Sequence, residues 1–267
     1  MPFPIEPDSS SESESASILV EHTNLVARVV AAMRAETELL TLNDYAEIAG
    51  ISPFYFNRIF RSIIGVPPGE FATSVRFERA KHLLLTTPAS ITDICFEVGY
   101  SSIGTFSTRF KSLVGVSPAS FRDMPDVVAD LDFGQAVFRM DPKLIHARGR
   151  IEGTMNFPPD QEASIFIGIY PAKIAVSSPV VGRMLTEPGP FELTNVPYGT
   201  WVVMSAALPT KNDPVRHLLP MGQLLVSSSA PFNIFPGDDV AQVHLNYGRP
   251  GPLQPPVVIA LPTLLLD

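Results

Sequence analysis

Arg58 and Arg61 are the only charged residues of SPFYFNRIFRSII (52–64), and Arg109 and Lys111 are the only ones of SIGTFSTRFKSLV (102–114). Four cations with no carboxylate among them gather positive charge where a polyanion such as a nucleic-acid backbone can meet it. The rest of the chain has the opposite balance. Residues 41–122 hold eight Lys/Arg against six Asp/Glu, a balance of +2, whereas the 267-residue chain carries −8, which leaves −10 elsewhere. That acidic remainder serves solubility and suppresses indiscriminate adhesion to DNA.

The elements that must position these cations are written twice. At an offset of fifty, Phe56 matches Phe106, Phe60 matches Phe110, Gly65 matches Gly115, Val66 matches Val116, Pro68 matches Pro118 and Phe71 matches Phe121. Such identity marks one supersecondary unit used twice. Phenylalanines four apart share a helical face and anchor it to a small core, and each glycine supplies a left-handed stop. Upstream, at an offset of 49, Thr41-x-x-Asp44 and Ser90-x-x-Asp93 are capping-box starts, and Gly50 and Gly99 close the short helices they open. Short helix, glycine turn and second helix make a helix-turn-helix, with the second turn one residue longer. Residues 71–86 keep Val75, Ala80, Leu83 and Leu84 on helical spacing and predict a connecting rod of about 24 Å. A further helix precedes the repeat, marked by Leu25, Val29, Ala32 and Met33. Two linked reading heads suit B-DNA, whose major groove returns to the same face about every 34 Å, and they suit an asymmetric site.

These residues (SPFYFNRIFRSIIGVPPGEF, RFERAKHLLLTT and SITDICFEVGYSSIGTFSTRFKSLVGVSPASFR) resemble the AraC/XylS family of bacterial transcription regulators over about residues 40–122. The resemblance implies a domain that lays the second helix of each unit in the major groove, and a regulator that mostly activates by recruiting RNA polymerase. Carried over by position, Phe54, Asn57, Arg58 and Arg61 face DNA from the first head. Arg58 is the candidate for a bidentate guanine contact, Asn57 for an adenine edge and Arg61 for a phosphate. Phe54 has packing on a neighbouring helix as its alternative. The second head departs from the pattern: Thr108 stands where the first has Arg58, with Ile103, Gly104 and Thr105 at the helix start. Arg109 and Lys111 can hold phosphates, and Ile103 or Thr105 can touch a thymine methyl. Selectivity is therefore expected mainly from the first head, with largely nonspecific affinity from the second.

Beyond residue 124 the texture changes, since 19 of the 27 prolines lie there. From Lys143 onward seven runs read as strands between turns: LIHARGRIEG, SIFIGIY, PFELTNV, TWVVMSAAL, QLLVSS, VAQVHL and PPVVIAL. The fold class expected is multidomain, α then β: an all-α double helix-turn-helix domain, then an all-β sandwich of about seven strands. The expected divisions are an acidic, Ser-rich disordered tail over 1–17, the helical domain over 18–124, a linker over 125–142 and the sandwich over 143–267. GRIEG, IFIGIY and GPFELTNVPYGTWVV resemble carboxypeptidase regulatory-like, or prealbumin-like, sandwich modules, which implies binding or docking rather than catalysis. Residues 189–203 read as strand, Pro-Tyr-Gly turn and strand. In the AraC/XylS family a sugar-sensing barrel would precede the DNA-binding region; the reversed order here leaves the effector unassigned. Met184, Phe191, Tyr198, Trp201 and Met204 either line a pocket or, more commonly for such residues on strands, form core.

Enzyme chemistry finds no support. His22, His82, His146, His217 and His244 are scattered without i, i+4 metal spacing, and there is no nucleophile elbow, P-loop or dinucleotide fingerprint. Asp238 and Asp239 read as an exposed turn, with calcium binding as the alternative. Cys95, the single cysteine, is expected as an inert small hydrophobe. No cofactor or metal is expected, no export signal is read, and no segment is expected to approach the roughly 20 apolar residues of a membrane span. The reading is a cytoplasmic, non-enzymatic regulator of transcription. Its partners are double-stranded DNA, RNA polymerase and an effector or protein at the second domain. The alternative is a ligand-sensing or docking sandwich whose DNA binding is mainly nonspecific, and a third possibility is that the sandwich dimerises the chain.

Overall fold

The computed structural model describes residues 9–35, 40–129, 142–144, 146–158, 163–175, 178–209, 214–219 and 224–265. Helices α1 (Ser9–Ala35), α2 (Leu42–Ala49), α3 (Pro53–Ile64), α4 (Pro68–Thr86), α5 (Ile91–Glu97), α6 (Ile103–Val114), α7 (Pro118–Arg122) and α8 (Met124–Ala129) come first. Both capping boxes form. The Thr41 main-chain N–H donates to Asp44 at 2.6 Å, and Ser90 and Asp93 repeat the exchange, fixing where α2 and α5 begin. The Thr41 N–H, and then its hydroxyl, hold the Asp44 carboxyl below the usual carboxylate range.

The repeat is also a repeat of packing. In the first head Phe56, Phe60 and Phe71 meet edge to face with centroids 5.5 and 5.7 Å apart. In the second, Phe106, Phe110 and Phe121 are spaced at 5.7 and 5.7 Å. Helix α4 serves both cores: Phe71, Ala72 and Val75 belong to the first, and Phe77, Ala80 and Leu84 to the second. Cys95 is wholly buried in the second core, and burial pushes its thiol pKa up.

The β-rich region has eight strands among the described residues, in two sheets: β1 (Gly149–Asn156), β2 (Ala163–Tyr170), β3 (Gly182–Leu185), β4 (Phe191–Val196), β5 (Gly199–Pro209), then a short α9 (Pro214–Leu218), β6 (Leu225–Ser228), β7 (Phe232–Ile234) and β8 (Val240–Asn246). One sheet runs β4-β1-β8, with β1 antiparallel to β4 and parallel to β8. The other runs β3-β2-β5-β6, with β7 on the first residues of β5. Ile151 and Phe191 of the first sheet share a core with Ile167 and Val203 of the second. Strand β2 is buried on both faces, which is why SIFIGIY reads as a continuous apolar run.

Several expectations are corrected. The tail taken as disordered to Ser17 is helical from Ser9, because extending an existing helix costs far less than nucleating one; residues 1–8 lie outside the described residues. The linker over 125–142 is partly helix, since α8 places Met124 and Val128 in the second head's core; residues 130–141 lie outside the described residues. A 20-residue stretch of α1, Ala16–Ala35, is long and apolar enough to cross a membrane, contrary to expectation, but the first head's core takes up its Val26, Val29, Val30 and Met33. Strands β3 and β7 fall outside the seven runs: β3 opens on Gly182 and Arg183 and β7 has three residues, so neither shows a run of strand-forming residues. PPVVIAL is not a strand. Of the five residues weighed for a pocket, Phe191 is core, Trp201 donates its indole N–H to the Pro197 carbonyl, and Tyr198 is exposed.

PPVVIAL instead forms the seam between the two regions. Ile259, Leu261 and Leu264 cover the β2-β5-β6 face beside Phe166 and Tyr170, while Val258 and Ala260 enter the second head's core with Leu218. The Ala260 N–H donates to the Val114 carbonyl at the end of α6 at 3.0 Å. Ile174 enters the first head's core, so the β-rich region touches both heads. Gly65 and Gly115 end α3 and α6 at φ 90° and 105°, and each also meets the β-rich region. A Cβ on Gly115 would lie 2.7 Å from Thr263 Oγ1, and one on Gly65 would lie 3.3 Å from Lys173 Cβ.

Lys81 of α4 is buried in this seam, its Nζ donating to the Val257 and Val258 carbonyls at 3.2 Å each. Burial lowers its pKa from 10.5 to about 8, against a smaller raising effect of Glu78. The unfolded chain keeps this proton up to about pH 10.5 and the folded chain gives it up near 8, so folding releases the proton between those values and stability rises with pH across that window. Lys81 alone should contribute up to about 3 kcal/mol of that rise. Urea denaturation of the parent chain and Lys81→Met at pH 7.5 and pH 10 should show the parent gaining more; equal pH dependences would contradict the assignment.

Candidate nucleic-acid interface

Helix α3 begins at Ser52, whose Oγ accepts the Tyr55 N–H, and Pro53 pre-sets the first helical residue. With Phe56, Ile59, Phe60 and Ile64 taken into the core, the opposite face presents Phe54, Arg58 and Arg61 to solvent. Phe54 is 82% exposed, so it does not pack on a neighbouring helix. The Arg58 guanidinium lies 4.9 Å over the Tyr55 ring, and the Tyr55 hydroxyl is hydrogen-bonded to His22 of α1 at 3.1 Å. The shelf under Arg58 is therefore tied to a second helix. Neither Tyr55 nor His22 stands out in the sequence as support for Arg58, apart from the i, i+3 spacing of Tyr55 and Arg58.

Asn57 sits differently from its neighbours. It is half-buried, and its Oδ1 is shielded from solvent without a hydrogen-bond partner among the described residues. Its amide has to swing outward to reach a base edge, and an unpartnered oxygen lowers the cost of doing so.

In the second head Ile103, Thr105, Thr108, Arg109 and Lys111 are all exposed. Thr105, Thr108 and Arg109 share a shallow groove with Gly104 and Ser112, while Ile103 and Lys111 stand at the two ends of α6. No acidic residue lies in α3 or α6, so both exposed faces have only cations for charge. Around the rim, Arg76 lies 5.9 Å over Tyr100 and Arg79 pairs with Glu97 at 3.0 Å, which fixes these cations between the heads.

Two helix-turn-helix units bridged by one shared helix, with the second helix of each exposed and cationic, define a double helix-turn-helix DNA-binding domain. Residues 45–124 match the family model described as a helix-turn-helix domain. The chain is similar to the HTH-type transcriptional activator AarP of Providencia stuartii, 35% identical over 86 residues, covering 32% of this chain and 64% of that protein. It is also similar to the bifunctional transcriptional activator/DNA repair enzyme AdaA of Bacillus subtilis, 40% identical over 88 residues, covering 33% and 42%. Among solved structures, the C-terminal domain of AraT, a response regulator from Geobacillus stearothermophilus, is 35% identical with a TM-score of 0.36, covering 37% of this chain and 84% of that one. The chain thus spans less than two thirds of the length of these two curated relatives.

Proposed function

We propose that this protein is a cytoplasmic, sequence-specific transcription regulator that sets α3 and α6 into successive major grooves of an asymmetric DNA site. The observation that carries this reading is Arg58, exposed on a helix without acids and held over Tyr55, since a pre-oriented guanidinium fork suits a guanine edge. Phe54, Asn57 and Arg61 complete the first reading face, with Arg61 on phosphate. Ile103, Thr105, Thr108, Arg109 and Lys111 form the second, in which no side chain but Arg109 has a bidentate fork, so sequence preference belongs mainly to the first head. Activation is favoured over repression because the relatives AarP and AdaA are both named activators, and RNA polymerase is then the protein partner. In this reading residues 18–124 bind DNA, and residues 143–267, joined through 125–142, receive an effector or partner. No catalytic role is assigned to either region.

Arg58→Ala tests it. In binding titrations against DNA selected by the protein from a random pool, and against single-base variants of that DNA, the substitution should cost about 1–3 kcal/mol and relax preference at one base pair. Equal loss on every sequence would reduce Arg58 to a phosphate contact and defeat the assignment.

A further inference from the structure

The connection after β2, together with α4 and α6, bounds a cleft of about 500 Å³ between the helical and β-rich regions. That volume lies in the range of small-molecule sites, which favour such boundaries. We propose that this cleft binds a small amphipathic monoanion, with its apolar body on Leu113, Ile174 and Val180 and its single carboxylate or sulfonate on Arg109, and that this ligand and DNA exclude one another.

The walls support that chemistry. Leu113, Ile174 and Val180 supply apolar surface from both regions. Arg109 and Glu70 face the same cleft, yet neither makes an ion pair among the described residues. A guanidinium left open offers a fork of N–H donors to an oxyanion, while the Glu70 carboxylate across the cleft opposes a second negative charge. Tyr170 lines the same space. Burial raises the pKa of its hydroxyl, which therefore stays protonated and adds no second negative charge to the cleft.

The regulatory consequence comes from Arg109, which belongs both to this cleft and to the groove on α6. One guanidinium cannot hold a phosphate of DNA and the anion of a ligand together, so each should weaken the other by the same factor. This second half rests on the DNA-binding reading above; binding in the cleft does not.

The test uses the full chain and 1-anilinonaphthalene-8-sulfonate, an apolar ring system with one sulfonate. Its fluorescence should rise saturably with one site per chain. Arg109→Gln, which removes the charge-assisted bond, and Ala172→Phe, which fills the cleft without touching the cation, should each weaken binding about tenfold or more, with circular dichroism reporting the fold of both. An absent rise, or one that is unsaturable and indifferent to both substitutions, as adhesion to exposed side chains such as Ile18 and Leu19 would give, overturns the site. With selected DNA present, the dye should raise the Kd for DNA by the factor by which DNA raises that for the dye. Intact dye binding with unchanged DNA affinity overturns the exclusion. Intact dye binding by a chain that holds no DNA at all rejects the DNA reading and leaves the cleft assigned.

Discussion

Val258→Asp is expected to lower the unfolding free energy by about 3–5 kcal/mol, the cost of placing an unpaired carboxylate in an apolar core. Val258 is fully buried among second-head residues, although PPVVIAL, the run that contains it, reads as a strand. Its neighbours on the other side, Ile259 and Leu261, hold the β2-β5-β6 face, and its own carbonyl receives Lys81. A wedge at this point separates two cores at once. Helical and β-sheet signals in urea denaturation should therefore shift together. Val240→Asp, at an exposed strand position, is the control and should change stability by no more than about 0.5 kcal/mol. Equal, small effects of the two substitutions would mean that the regions do not share this seam in solution.

The second large effect is Phe110→Ala, expected to cost about 3–5 kcal/mol. Phe110 makes ring contacts with Phe77, Phe106 and Phe121 at 5.7–5.8 Å between centroids, so removing it opens a void walled by three aromatic rings. The first head offers the internal check. Phe60 is just as buried and meets Phe56 and Phe71 in the same arrangement, so Phe60→Ala should cost a similar amount. A loss below about 1 kcal/mol at either position, measured by the same denaturation, would mean that the repeated aromatic triple is not what holds each head together.

These two substitutions separate what the amino-acid pattern displayed from what it concealed. Phe110 was legible because its partner lies fifty residues away in a duplicated phrase, and the caps at Thr41 and Ser90 were legible because capping chemistry is local. The exposed face of α3 followed from them: once Phe56 and Phe60 point inward, Arg58 points outward. Val258 was not legible. An apolar run of that length fits a buried strand as well as an interdomain seam, and periodicity cannot say which surface will cover it. Lys81 was concealed for a related reason, since a lysine on a helix is ordinarily solvated and only the arrival of two main-chain carbonyls from 176 and 177 residues away makes its burial tenable. Rigidity between the heads was accordingly assigned to residues 71–86 alone. The fold adds a second tie, with Ile174 in one core and Val258 and Ala260 in the other. Within the candidate interface, Arg58 was visible as a residue type but its Tyr55–His22 support was not, because His22 lies on a helix outside the repeat.

Hydroxyl-radical footprinting of the full chain on DNA it selects from a random pool tests most directly whether both heads engage one duplex. Two protected patches on one face, about one helical turn apart, with the stronger base preference under one of them, is the expected result. Protection of a single groove, or of none, would contradict it.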